Sequence, residues 1–327
     1  MLQCSPFAGW LDGQDIVPSG QPLAVAWSGG ADSTALLLAL KMAGFQVQAW
    51  HVDHAWRDSS RLEADHLASQ AECWGVPFYS ARLSEPSGKN RESEARAGRY
   101  GQFAQWAAAL GVDTLCLGHH QDDQAETVYM RLLQGAGPAG CRGMHRERRV
   151  EGLRLLRPLL HLSSRELKQG LREAGIVWLE DPSNSDVQLW RNHIRSRSFP
   201  AMQESGYDPV RLFLRWKAQA DLLAERLDVG ADNLMAGEVS DAEGDLSIAW
   251  LRWCAGTAPI RARVLQKMMV ALLGEGVTPG RRHIELVELW TKKNGRGGID
   301  LSRCRLYRYQ GRLHLQAAGA GFASVLK

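Results

Sequence analysis

An apolar, β-prone run, Leu23-Ala-Val-Ala-Trp27, stops at Ser28-Gly-Gly-Ala-Asp-Ser33 and passes at once into Thr34-Ala-Leu-Leu-Leu-Ala-Leu-Lys-Met-Ala43, a strong helix pattern. A strand that turns through two glycines into a helix gathers consecutive backbone N–H groups and the positive end of the helix dipole into one concavity. Gly29 and Gly30 carry no Cβ, so the chain can turn sharply there and approach a phosphate closely. Ser28 and Ser33 add hydroxyl groups. Asp32 would repel a bare phosphate, which points to a bridging Mg²⁺. The lysine-bearing G-x-x-x-x-G-K-[ST] loop is absent from the chain. Ser28, Gly29, Gly30, Ala31, Asp32 and Ser33 are therefore read as an anion-binding loop with Asp32 as the metal ligand.

From residue 21 to residue 120 strand and helix signals alternate. Phe45–Asp53 reads as a second strand, 59–74 as a helix stopped by Gly75, and Val76–Ser80 as a third strand. Glu92–Leu110 reads as a helix closed by Gly111, and Thr114–Gly118 as a buried strand. This rhythm predicts an α/β fold: a parallel sheet with helices on both faces. Ligands of such sheets bind beyond the carboxyl ends of the strands, where Ser28–Ser33, Asp53-His54 and His119–Glu126 all fall. From about Asp208 the pattern turns helical (208–227, 248–255, 260–273, 281–292), and a β-hairpin, Cys304–Tyr309 with Arg312–Gln316, follows. The acidic, glycine-containing stretch 228–245 reads as a loop or linker. The expected division is an α/β domain carrying the glycine loop over 1–207 and a smaller, mostly helical domain over 208–327.

The formal charge of +3 proves no nucleic-acid partner, but its distribution is uneven. Residues 142–157 hold six arginines against two acids, and 281–308 hold eight Lys/Arg against three acids. Separated basic patches of this kind can track an RNA backbone. The six cysteines are scattered without a C-x-x-C pair, which argues against a zinc ribbon or a redox dithiol and fits a reducing cytoplasm. No apolar run approaches the ~18 residues of a membrane span.

Asp123 and Glu126 lie three apart at a helix start and share one face, where they would hold Mg²⁺, receive an ammonium group, or simply cap the helix. His119 and His120 follow a strand directly, and which of them acts is open. Arg96 and Arg99 share a helix face and suit a phosphate or a developing anion. Arg191 and Arg195 repeat helical spacing after Asp181-Pro-Ser-Asn184 and read as an RNA-facing stripe. Gly135–Gly140 matches G-x-G-x-x-G but follows a helix, not a strand, so it is no dinucleotide site.

The S-G-G-x-D-S loop resembles the PP-loop of the N-type ATP pyrophosphatases, whose fold is of the adenine nucleotide alpha hydrolase-like kind. Gly118-His-His-Gln-Asp-Asp-Gln-Ala-Glu-Thr127, Asn90–Arg96 with Arg99-Tyr100, and Leu179–Asn184 with Arg191-Asn-His-Ile-Arg195 resemble, in order and spacing, the blocks of the tRNA(Ile)-lysidine synthases. His51-Val-Asp-His54 with Arg57, and Arg157-Pro-Leu-Leu160, fit the same pattern, while Trp56 departs from it. The resemblance covers about residues 20–200. It implies ATP as co-substrate with Mg²⁺, and free L-lysine joined to the wobble cytidine of the CAU-anticodon isoleucine tRNA. It further implies Asp32, Asp123, Glu126 and Arg96 as catalytic residues and Ser28–Ser33 with His54 as ATP ligands. His119, Asp123 and Glu126 would bind lysine, and Arg191, Arg195, Arg303 and Arg305 would bind tRNA. A cytoplasmic enzyme with no obligate protein partner is expected. Three rivals stand beside it: a PP-loop tRNA thiolase, a binuclear metal hydrolase built from His51, Asp53, His54, His119, His120 and Asp123, and a non-catalytic RNA-binding module.

Overall fold

The computed structural model describes residues 6–14, 16, 21–53, 60–84, 91–150, 152–180, 190–236, 240–242, 245–274, 277–301 and 303–318. His54, Trp56, Arg57, Asn90 and the Asp181–Asn184 turn therefore lie outside the described residues. Two compact units form, Met1–Met130 with Gly143–Arg215, and Arg131–Arg142 with Trp216–Lys327.

The first unit runs β1 (Leu23–Ala26), α1 (Ala31–Met42), β2 (Val47–Asp53), α2 (Ser60–Cys73), β3 (Phe78–Arg82), α3 (Arg91–Leu110), β4 (Thr114–Cys116), α4 (Gln121–Leu133), β5 (Glu147–Val150), β6 (Leu153–Leu156), α5 (Ser164–Glu173), α6 (Trp190–His193) and α7 (Phe199–Glu204). The strand order is β3-β2-β1-β4-β6-β5. Five strands are parallel and β5 pairs antiparallel with β6. The sheet is thus mostly parallel: sequence reasoning took 142–157 only as a basic patch and missed this two-strand turn. Glu147, Arg148 and Arg149 stay exposed on β5, and charges of this kind protect a sheet edge from further pairing.

Strand alternation divides the core into two layers. Leu23 and Val25 of β1 pack with α1, α2 and α5 on one face, whereas Ala24 joins Trp50, Leu115 and Phe103 of α3 on the other. Helix α1 is buried from Ala31 to Leu40 apart from Asp32, so it sits fully inside the first layer. That burial fixes the glycine loop against the carboxyl edge of the sheet.

The second unit contains most of α8 (Pro209–Met235), then β7 (Ser240–Ala242), β8 (Asp245–Ala249), α9 (Trp250–Ala255), α10 (Ala258–Leu273), α11 (Arg281–Lys292), β9 (Gly298–Leu301), β10 (Cys304–Tyr309) and β11 (Arg312–Ala317). The anticipated hairpin forms, but as the β10–β11 pair of a five-stranded antiparallel sheet ordered β7-β8-β11-β10-β9. The stretch 228–245, read as a loop or linker, is instead helix as far as Met235 and strand at β7 and at the first residue of β8. Its acids are pairing partners: Asp228 lies 2.7 Å from Arg263 and 3.2 Å from Lys267, and Asp232 lies 2.6 Å from Lys267. Gly230 lets α8 approach α10, since a Cβ there would come 2.9 Å from Ile260 Cδ1. Among the described residues no helix is long and apolar enough to cross a membrane.

Candidate functional site

The loop after β1 is held in shape by its own polar atoms. Trp27 Nε1 donates to Thr34 Oγ1 at 2.9 Å, tying the loop's entry to the first turn of α1. Ser33 Oγ accepts from the Ser28 amide at 3.2 Å and lies 3.1 Å from Ser28 Oγ. Gly29 has φ +82°, and a Cβ there would fall 2.8 Å from both Leu179 Cδ1 and Leu67 Cδ2, so conformation and space both demand glycine. Gly30 is the N-cap of α1 and no side chain caps it, which leaves the helix's first-turn amides to a ligand. Gly118, just beyond β4, is equally constrained: a Cβ would meet Ser33 N at 2.9 Å and Asp32 C at 3.0 Å. Nothing in the sequence singled out that residue beyond its place in a motif.

Three carboxylates converge on His120. Its Nε2 is 3.5 Å from Asp32 Oδ2 and 3.4 Å from Asp123 Oδ2, and its Nδ1 is 3.3 Å from Asp122 Oδ2. Burial opposes its charge, but the three carboxylates prevail and push its pKa up to about 10. His120 thereby links the phosphate loop to the start of α4. Asp122 also accepts from the Ser164 amide at 2.9 Å, which joins the starts of α4 and α5. Asp122 is thus engaged in holding helices together, while Asp123 joins Glu126 at Arg195.

Asp123 and Glu126 are 6% and 2% exposed and come together as expected from their spacing. Asp123 Oδ2 accepts from the His120 amide at 3.0 Å, which is half of a capping box, so capping and a site role coexist in one side chain. Its Oδ1 accepts from Arg195 Nη2 at 2.6 Å, and the same nitrogen lies 3.0 Å from Glu126 Oε2. Arg195 Nε donates to Glu126 Oε1 at 2.5 Å. Burial nevertheless outweighs the guanidinium and holds the Glu126 carboxyl above its ordinary pKa. Sequence reasoning placed Arg195 with Arg191 on an RNA-facing stripe. The structure turns both toward α4, since Arg191 Nη2 lies 3.5 Å from Thr127 Oγ1. A π-helical turn over Ile194–Ser198 follows α6 and carries Arg195 to the carboxylates.

His119 stands apart from His120. Arg157 Nε donates to His119 Nδ1 at 3.1 Å, and burial lowers the imidazole pKa to about 4, so the ring is neutral. Arg96 and Arg99 flank Tyr100 on α3, with guanidinium carbons 5.1 and 5.7 Å from its ring centroid. His51 Nδ1 lies 3.0 Å from Trp27 O, and Asp53 pairs with Arg82 at 3.4 Å. Among the described residues no group of three or more His, Cys, Asp or Glu side chains is arranged to hold a metal ion, and His54 lies outside them. A single cation at Asp32 does fit: its Oδ1 is shielded from solvent and has no hydrogen-bond partner among the described residues. In the second unit Arg303 is exposed, and Arg305 lies 3.7 Å from Asp300.

Residues 14–202 match the family described as PP-loop domain. The chain belongs to the PP-loop family. It is 40% identical across 182 residues to a tRNA(Ile)-lysidine synthase of Chlamydia pneumoniae, covering 55% of this chain and 57% of that protein. A tRNA(Ile)-lysidine synthase of Thermus thermophilus is 42% identical across 188 residues, covering 56% of this chain and 36% of its own length. One of Solibacter usitatus is 33% identical across 296 residues, 87% of this chain and 66% of that protein. The chain therefore spans between about a third and two thirds of the length of these relatives. Among solved structures, the U34-tRNA thiolase NcsA from Methanococcus maripaludis with its 4Fe-4S cluster shares the PP-loop fold. Its TM-score is 0.52 at 16% identity over 65% of this chain and 76% of that one.

Proposed function

We propose that this PP-loop protein joins free L-lysine to C2 of the wobble cytidine of the CAU-anticodon isoleucine tRNA, consuming ATP and releasing AMP and pyrophosphate. The observation that carries the reading is the His120 bridge, which joins a phosphate loop and a buried carboxylate pair into one site. The loop amides at Gly30 and the start of α1 would hold the triphosphate, and Asp32 would hold Mg²⁺ through the free Oδ1. When bound, the ion neutralises charge as pyrophosphate leaves. Cytidine O2 attacks the α-phosphorus, the bond to pyrophosphate breaks, and O2 becomes part of a good leaving group. The lysine ε-amine then attacks C2, loses a proton, and AMP departs with O2. Asp123 and Glu126 would orient that amine. In the free protein Arg195 supplies the positive charge the pair requires. Arg191, Arg303 and Arg305 would contact the tRNA, and Arg96 would face anionic groups. Positioning and preorganised charge supply most of the rate in such chemistry.

The thiolase alternative normally relies on clustered cysteines. The five described here lie on α2, β4, the turn after α4, α9 and β10, and burial raises the Cys116 pKa to about 12. The deciding experiment is incubation with bulk tRNA, ATP, Mg²⁺ and isotopically labelled lysine, followed by nucleoside mass analysis. Cytidine heavier by one lysyl group is the expected product. Sulfur in place of lysine, or no modified nucleoside, refutes the reading.

A further inference from the structure

A basic cluster lies next to His119. Arg157 follows β6 and is only 6% exposed, with Nε on His119 and Nη1 donating to His145 O at 2.7 Å. Arg96 and Arg99 approach it from α3 through Tyr100, which is an electrostatic neighbour of both Arg99 and Arg157. Among the described residues none of these three guanidinium groups is ion-paired, in contrast to Arg195, which takes two carboxylates. Burial lowers the pKa of both Arg99 and Arg157, with Arg96 as a further like-charged neighbour of each. Guanidinium groups with no counter-ion among the described residues, next to a neutral imidazole and a phenol, make a fork for tetrahedral oxyanions.

We propose that Arg96, Arg99 and Arg157, arranged about Tyr100 and His119, form a phosphate-binding site that takes a backbone phosphodiester of the RNA substrate. This deepens the functional reading given above and rests on it. The chemistry is shared by RNA and by ATP, and two observations favour RNA. Arg157 stands two strands from β1, about 10 Å across the sheet at ordinary strand spacing, while the triphosphate already has the glycine loop. The positive charge also continues outward to Arg148, an electrostatic neighbour of Arg157 that lies exposed on the edge strand, which suits a polymer better than a small ligand.

The test uses Arg99→Gln and Arg96→Gln in the full chain, with Arg99→Lys as the charge-retaining control. Without ATP, each Gln variant should bind tRNA about tenfold more weakly at low salt, as expected for losing a charge-assisted bond. The slope of log affinity against log salt should fall by about 0.7–0.9 per variant. ATP affinity measured without RNA should not change, and Arg99→Lys should recover most of the RNA affinity. Weakened ATP binding with unaltered RNA binding would overturn the RNA assignment, and no change in either would overturn the site. Inorganic phosphate separates this from the functional reading. It should raise the melting temperature of the wild type more than that of Arg99→Gln, even if no lysine is ever transferred. Equal shifts in both proteins refute the site on their own.

Discussion

Gly118→Ala is the sharpest perturbation the structure offers, because it adds one methyl group against backbone alone. The new Cβ would lie 2.9 Å from Ser33 N and 3.0 Å from both Asp32 C and Asp32 O. Ordinary contact begins near 3.4 Å, so β4 and the start of α1 must separate by about 0.5 Å. Neither can yield cheaply: β4 is buried between β1 and β6, and α1 is packed almost all round. Overpacking of this kind costs about 1–3 kcal/mol. For a unit of roughly 200 residues that is a melting-temperature loss of about 2–12 °C at 2–4 °C per kcal/mol. The displaced atoms belong to Asp32 and Ser33, so turnover should fall more steeply than stability, by about 10- to 100-fold for a shift approaching 1 Å. The internal control is Gly101→Ala on α3, where a Cβ meets nothing within 4 Å. Removing a mid-helix glycine there should stabilise by about 1 kcal/mol and leave activity intact. Differential scanning fluorimetry and lysine incorporation into tRNA, run on both variants, decide the matter. If Gly118→Ala melts with the wild type and turns over normally, the close approach of β4 to the loop is not what positions Asp32.

Asp32→Asn should cut AMP transfer by at least ~10²-fold with little change in melting temperature, and wild-type activity should vanish on chelating Mg²⁺; near-normal transfer by the variant removes the proposed metal role. Glu126→Gln should abolish lysine incorporation while costing only about 1–3 kcal/mol, because Arg195 keeps Asp123 and is half-exposed to water; lost stability with unchanged turnover leaves Glu126 as a structural partner. In metal-free protein, the raised pKa of His120 means its stabilisation is complete below about pH 6.5 and disappears as pH climbs to about 10. The melting-temperature advantage of wild type over His120→Gln should shrink across that window. His119 has the opposite sign: its pKa of about 4 means stability falls as pH drops from about 6.5 to 4, and His119→Gln should flatten that limb. Neutralising Arg303 and Arg305 should weaken tRNA binding and reduce its salt slope by about 1.4–1.8; an unchanged slope makes the β10–β11 surface structural.

The sequence by itself determined those features that depend on near neighbours in the chain. Apolar runs broken by glycine set the strand–helix alternation, and two adjacent glycines before α1 set a tight turn in which Gly29 does adopt positive φ. Three-residue spacing placed Asp123 and Glu126 on one face of α4. Tertiary structure alone decided what those residues meet. Arg195 is about 70 residues from Asp123 in sequence yet supplies its counter-charge, and His120 draws Asp32 from a different strand end. Gly118 looked like a motif residue until β4 was laid against α1, and the acids of 228–235 looked like a linker until α10 brought Arg263 and Lys267 to them. Local pattern encodes backbone shape because sterics and periodicity act within a few residues. Charge pairing and close packing act through space, so they become definite only when the sheet and its helices have been assembled.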